Sequence, residues 1–192
     1  MQLPIKTLRI DKATDEFIPA VTTLADRIAF SRLSKEERQG GFLLPYTEDQ
    51  YRDFAKHAEH FYVLFLSRQL IGFVVAHSSE QIDLFGEEVY LYMKNIQRRP
   101  FIVVRQICIA PELSHRGYGR KLYDFLFKRA EEDIANYRAM VSFIWKSPPN
   151  LASEKFHRAV GWKELETYTL KSSNGVVGIW ARTINTGNHH GT

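Results

Sequence analysis

A single cysteine, Cys108, stands among 192 residues, so no disulfide can close within the chain, and a reducing compartment is the expected setting. No apolar run approaches the roughly 18 residues that cross a bilayer. The opening residues MQLPIKTLRIDKATDE meet charge before any long apolar stretch, so no export signal is expected there and a cytoplasmic location is. Internal repeats, low-complexity blocks and linkers rich in Pro, Gly or Ser are also missing. One domain over 1–192 is therefore expected, with its core at about 4–185 and a frayed tail at 186–192. Charge of one sign is not in large excess: 26 Lys and Arg stand against 22 Asp and Glu, a net +4. A nucleic-acid binder would carry a broad basic stripe with interleaved exposed aromatics. Here the basic residues fall in short groups, Arg98–Arg99, Arg116–Lys121 and Lys128–Arg129. Neither nucleic acid nor membrane is an expected partner.

What is present is an ordinary globular balance, 44% hydrophobic and 25% charged, on a chain long enough to bury a core unaided. Residues 101–130, FIVVRQICIAPELSHRGYGRKLYDFLFKRA, are the most informative. A β-branched run from Phe101 to Ile109 breaks at Pro111. A polar loop with Gly117 and Gly119 follows, and then an amphipathic segment without a helix breaker. Strand, glycine loop and helix in that order aim backbone N–H groups along a helix dipole, which suits the phosphates of an anionic ligand.

The remaining pattern predicts a strand at Lys6–Ile10 and a helix over Asp15–Phe30. The polar segment 31–46 reads as a mobile loop. Thr47 with Gln50 predicts a capped helix to His57, and Phe61–Leu66 and Leu70–Ala76 flank a hairpin turn. Residues 79–99 read as an insertion. Helix 117–136 presents Leu122, Phe125, Leu126, Ala130 and Ile134 as one stripe. A strand at 139–145, a helix at 150–160 ended by Gly161, and strands Trp162–Leu170 and Val176–Ile184 about a tight Asn174–Gly175 turn complete the chain. This order predicts a mixed α/β (α+β) fold with antiparallel hairpins at both ends, not a doubly wound one.

Elements in this order resemble the GNAT superfamily of acyl-CoA-dependent N-acetyltransferases. Two stretches carry the resemblance: PELSHRGYGRKL (111–122), similar to the family's phosphate loop [QR]-x-x-G-x-[GA], and NLASEKFHRAVGW (150–162), similar to its N-x-x-A/S-x-x-x-Y helix before G-F. Ser114 stands where Gln or Arg is usual, His157 where Tyr is frequent, and Trp162 where Phe is. The resemblance implies a mostly antiparallel sheet splayed between its two central strands with helices on both faces, acetyl-CoA as acyl donor, a primary amine as acceptor, and no metal. Family members are often dimers, so a homodimer is among the implied assemblies.

On this resemblance, backbone N–H groups across His115, Arg116, Gly117, Tyr118, Gly119 and Arg120 bind the pyrophosphate, with the Arg116 and Arg120 side chains adding charge. The backbone of Ile107, Cys108 and Ile109 pairs with the pantetheine arm, and the N–H of Ile107 or Cys108 serves as oxyanion donor. At about 100° per residue Asn150, Ser153 and His157 share one helical sector, which is either a wet face or a cofactor groove. The resemblance puts Asn150 and Ser153 on the pantetheine and His157 at the sulfur as general acid. The acid that some members carry on the central strand is missing, since Val103 occupies its position. Glu154, Glu164, Glu166 and His60 are substitute candidates for the base. Loop 31–46, the 79–99 insertion and the last hairpin would set acceptor choice, among them Asp83, Glu87 and Glu88. The acceptor is a small metabolite, a polyamine, or a protein N-terminus or lysine. Two other readings stay open: a GNAT-like acyl-CoA sensor without turnover, and a basic nucleic-acid adaptor.

Overall fold

The computed structural model describes residues 7–82, 88–96, 100–133 and 137–184. Asp83, Glu87, Arg98, Arg99, Ile134 and the expected frayed tail lie outside them.

Seven strands form one sheet: β1 (Leu8–Lys12), β2 (His60–Leu66), β3 (Gln69–Ser78), β4 (Ile102–Ile109), β5 (Ala139–Ser147), β6 (Lys163–Thr169) and β7 (Val176–Thr183). Their spatial order is β1-β2-β3-β4-β5-β7-β6. Every pairing is antiparallel except β4 with β5. Among the described residues five helices flank the sheet: α1 (Ile18–Arg27), α2 (Glu48–His57), α3 (Glu88–Ile96), α4 (Tyr118–Glu131) and α5 (Leu151–Ala159). This is the mixed, mostly antiparallel architecture expected.

The strand β4 decides the geometry. Val75 of β3 opposes Gln106, yet its neighbour Ala76 opposes Val104, so Arg105 is the extra residue of a bulge on β4. A bulge of this kind inverts the alternation of side chains. Ile102 and Val104 face the same core as Ile107 and Ile109, whereas Val103 and Cys108 face the other side. The parallel ladder to β5 ends at Val104↔Ser142, beyond which the two strands part. Ser142 Oγ donates to Val104 O at 3.0 Å there, satisfying a carbonyl where backbone pairing stops.

One face of the sheet carries α4, whose Leu122, Tyr123 and Leu126 pack with Ile102, Val104, Met140, Ile144 and Trp180. The opposite face carries α1 and α2 over Val63, Phe73, Val75 and Cys108, and α3 over Val103, Val141, Val177 and Ile179. Burying a large apolar side chain stabilises by about 1.5–3 kcal/mol, which sets each helix firmly on its face.

Several boundaries differ from the sequence reading. The first helix opens with a 3-10 turn at Asp15–Phe17 and ends at Arg27, because Ala29 pairs with Leu43 instead of continuing the helix. Segment 31–46, read as a mobile loop, contains a 3-10 turn at Glu37–Gly40 and is bridged to Ala29 at Leu43. Thr47 and Gln50 form the predicted capping box. The 79–99 insertion contains the 3-10 turn Ser79–Gln81 and α3. In the last turn Asn174 takes the left-handed conformation (φ +53°), while Gly175 does not. A Cβ on Gly175 would meet the Trp145 ring at 2.5 Å, so this glycine serves close packing rather than turn geometry.

Candidate acyl-donor site and acceptor cleft

The glycine loop lies against the end of β4 that has left β5, where a Cβ on Gly119 would stand 3.7 Å from Ile109. Gly117 is the N-cap of α4 with φ +82° and ψ 1°, and no side chain caps the helix. Thr47 closes α2 and Asn150 closes α5 with side-chain oxygens, whereas α1, entered from a 3-10 turn through Phe17, likewise has no side-chain cap. A Cβ on Gly117 would have nothing within 4 Å, so the space before the first turn of α4 is open. His115 is also left-handed, at φ +60°. An uncapped helix N-terminus with its dipole and a nearby cation, here Arg116, is an arrangement that can receive an anion. Gly119 has another purpose: a Cβ there would stand 3.0 Å from the Phe156 ring, so it allows α4 to approach α5. Arg120 reinforces that approach by donating to Ala159 O at 2.8 Å. Ser114, at the departure from the family pattern, turns its hydroxyl back onto Pro111 O at 2.6 Å.

Beyond Val104 the backbone of Ile107, Cys108 and Ile109 lies in the part of β4 that has left β5. The Cys108 thiol is buried among α1, α2 and β3 residues, and burial raises its pKa well above the ordinary range. A thiol so placed is kept protonated and away from solvent.

His157 is where the structure departs most from expectation. It is only 2% exposed, ringed by Tyr123, Phe156, Trp162 and Trp180. Its Nδ1 lies 2.8 Å from Ser153 O, a carbonyl that can only accept, so Nδ1 carries the proton. Nε2 therefore accepts the Tyr123 hydroxyl at 2.7 Å. Burial pushes the imidazole down to about 4, leaving it neutral near pH 7. The residue expected as general acid is thus enclosed, with its one ring proton held by Ser153 O. Asn150 likewise points inward. Its Oδ1 accepts the Ser153 N–H, and its Nδ2 donates to Phe42 O at 2.8 Å. Ser153 remains half-buried on the same helix.

The base candidates are engaged elsewhere. Lys146 Nζ lies 3.3 Å from Glu154 and 2.8 Å from Glu164, and the Tyr92 hydroxyl donates to Glu166 at 3.3 Å. His60, buried and lowered to about 4 chiefly by desolvation, lines a concavity with Tyr62, Arg129, Glu132 and Asp133, near the C-terminus of α4. Val103 is fully buried under α3.

On the other face, residues that the sequence reading passed over meet at the bulge. Arg105 Nε donates to His77 Nε2 at 3.0 Å and Nη1 to the Tyr46 hydroxyl at 3.0 Å. His77 Nδ1 donates to Ser78 O, and burial lowers the pKa of this ring to about 4, so that it is neutral near pH 7. Gln106 bonds Tyr51 and Leu44. Two adjacent polar residues inside the apolar run FIVVRQICI were the available signal. Across β5 and β7 lie Trp145, Tyr168 and Tyr92, the last two with ring centroids 4.8 Å apart.

The family model described as the Acetyltransferase (GNAT) family matches residues 27–162, which hold both the diverging strands and the glycine loop. The chain belongs to the GNAT acetyltransferase family. The GNAT fold extends over nearly its whole length. The ribosomal-protein-S18-alanine N-acetyltransferase from Escherichia coli superposes with a TM-score of 0.63 at 14% identity, covering 97% of this chain and 99% of that one. NAA60 from Arabidopsis thaliana, in complex with a bisubstrate analogue, gives 0.67 at 12% identity, over 94% and 100%. The PaiA N-acetyltransferase from Thermoplasma acidophilum, in complex with coenzyme A, gives 0.63 at 14%, over 92% and 99%. No curated protein matches in sequence. Among the described residues no group of His, Cys, Asp or Glu is placed to hold a metal ion, and no helix is long and apolar enough to cross a membrane.

Proposed function

We propose that this protein transfers an acetyl, or another short acyl, group from acetyl-CoA to a primary amine. The observation that carries the reading is the uncapped, left-handed Gly117 at the start of α4, with open space before it, against the end of β4 that has left β5. The similar structures support the same donor: one of them holds coenzyme A and another a bisubstrate analogue.

Acetyl-CoA supplies the thioester. Backbone N–H groups from His115 to Arg120, with the Arg116 side chain, hold its phosphates; Gly117 supplies the conformation and Gly119 the close approach of α5. The edge of β4 that has left β5 offers the backbone of Ile107, Cys108 and Ile109 to the pantetheine amides, and Ser153 lines the opposite side. The N–H of Ile107 or Cys108 stabilises the carbonyl oxygen as it gains negative charge. The amine nitrogen attacks the carbonyl carbon, the C–S bond breaks, the sulfur leaves with its electron pair, and the ammonium proton passes to solvent or to the thiolate. His157 does not donate that proton; it orders the α4–α5 contact by accepting the Tyr123 hydroxyl.

The test is free thiol release from acetyl-CoA in the presence of three amines: spermidine, a short peptide with a free amino terminus, and an amino-blocked peptide with an internal lysine. Acceptor-dependent release with any of them supports the reading. The engaged carboxylates and the neutral His157 favour a second reading, an acyl-CoA-binding module. Saturable acetyl-CoA binding without release to any amine would select it.

A further inference from the structure

Segment 42–44 is tied to both arms of the divergence. From β4, Gln106 Nε2 donates to Leu44 O at 2.8 Å, while its Oε1 accepts the Tyr51 hydroxyl at 2.6 Å. On the other side Asn150, the N-cap of α5, is held to β5 by its N–H on Trp145 O at 2.9 Å, and its Nδ2 donates to Phe42 O at 2.8 Å. Gln106 is 7% exposed and Asn150 6%. Between them, Leu43 O accepts the Phe30 N–H at 2.8 Å and Leu43 N–H donates to Ile28 O at 2.9 Å. Three successive carbonyls are thus claimed by β4, by α1's C-terminal extension and by the start of α5. Two residues of extended chain cover about 7 Å, more than the roughly 4.8 Å between paired strands, so the segment is long enough to bridge a widened gap.

We infer that residues 42–44 form a crossbar over the acceptor side of the gap, and that Gln106 and Asn150 are positioning residues that fix where the amine meets the thioester. This rests on the acyl-transfer reading above. Leaving a buried amide or carbonyl unpaired is costly, so the crossbar cannot shift without breaking bonds to one arm. A wall held before the substrate arrives removes an ordering cost from acceptor binding. The cost of loosening it falls on the acceptor, because the acyl donor is held by α4 and the β4 backbone.

The test compares Gln106→Met, which keeps the shape and loses both bonds, with Tyr51→Phe, which removes only the Tyr51 bond. The acceptor is whichever of the three amines gives the highest kcat/KM. Gln106→Met is expected to raise the acceptor KM at least fivefold, to leave the acetyl-CoA Kd within twofold, and to speed amide exchange across 42–46. Tyr51→Phe is expected to stay within twofold in both constants. An acceptor KM in Gln106→Met equal to that of Tyr51→Phe, or a parallel rise in acceptor KM and acetyl-CoA Kd, overturns the crossbar. Should Gln106→Met fail to fold, Asn150→Asp keeps the cap acceptor and loses the donor to Phe42 O. The same rise in acceptor KM supports the crossbar, and an unchanged value overturns it. Transfer with unchanged KM sinks the crossbar alone, whereas no transfer by the unaltered protein removes both it and the acyl-transfer reading.

Discussion

His157 shows how one residue's chemistry follows from what surrounds it rather than from its place in a motif. Helical spacing correctly grouped it with Asn150 and Ser153, but spacing cannot say whether a polar sector faces water, a groove or a neighbouring helix. Here Tyr123 and two tryptophans enclose it. Replacing His157 by Ala would leave the Tyr123 hydroxyl unpaired and open a cavity, an expected loss of about 2–4 kcal/mol in urea unfolding, with acetyl-CoA affinity little changed. The sign of the pH effect follows from the depressed pKa. Unfolded, the imidazole binds a proton below about 6.5; folded, it does so only near 4. Its stabilising contribution is complete above pH 6.5 and is lost as pH falls towards 4, by about 1–2 kcal/mol at pH 5. His60 and His77 share the direction. Unfolding curves at pH 7 and pH 5 for the parent and for His157→Gln should show the smaller pH effect in the variant; equal effects would mean that the ring is not buried neutral.

At the scale of elements, the Gly117 loop and the order of strands were legible because glycine, proline and β-branched runs act locally. The bulge was not, because Arg105 is extra only relative to β3, a partner that the local pattern does not contain. The crossbar was illegible for the same reason: Gln106 and Leu44 are far apart in sequence. Gly119→Ala should press a methyl onto the Phe156 ring, at 3.0–3.1 Å, and cost about 1–3 kcal/mol in denaturant unfolding. A second element-level contact joins the insertion to the last hairpin. Glu88 accepts from the Tyr168 hydroxyl at 2.8 Å and from the backbone N–H groups of Lys171 and Ser172, and these bonds lower its pKa. Glu88→Gln should speed hydrogen exchange at the Lys171 and Ser172 amides; unchanged exchange would mean that the hairpin is held without it.

At the scale of the molecule, the fold class and the sheet's central split were foreseeable because a resemblance in element order constrains topology, whereas the acceptor depends on surfaces that several distant segments build together. The proposed chemistry has a molecular signature in pH. With no side chain acting as base or acid near neutrality, log kcat/KM for the acceptor should rise with unit slope up to the amine's own pKa, and a falling limb near pH 6.5 would point to an imidazole donor instead. The donor site is tested more directly by calorimetric titration with acetyl-CoA, using ATP and NAD as controls, on the parent and on Gly117→Glu. A Cβ there meets no atom within 4 Å, yet the substitution strains the left-handed turn and places negative charge before the α4 dipole. The account predicts saturable one-site binding of acetyl-CoA alone, weakened at least tenfold in the variant. Equal affinity in both proteins, or no binding by the parent, would contradict it.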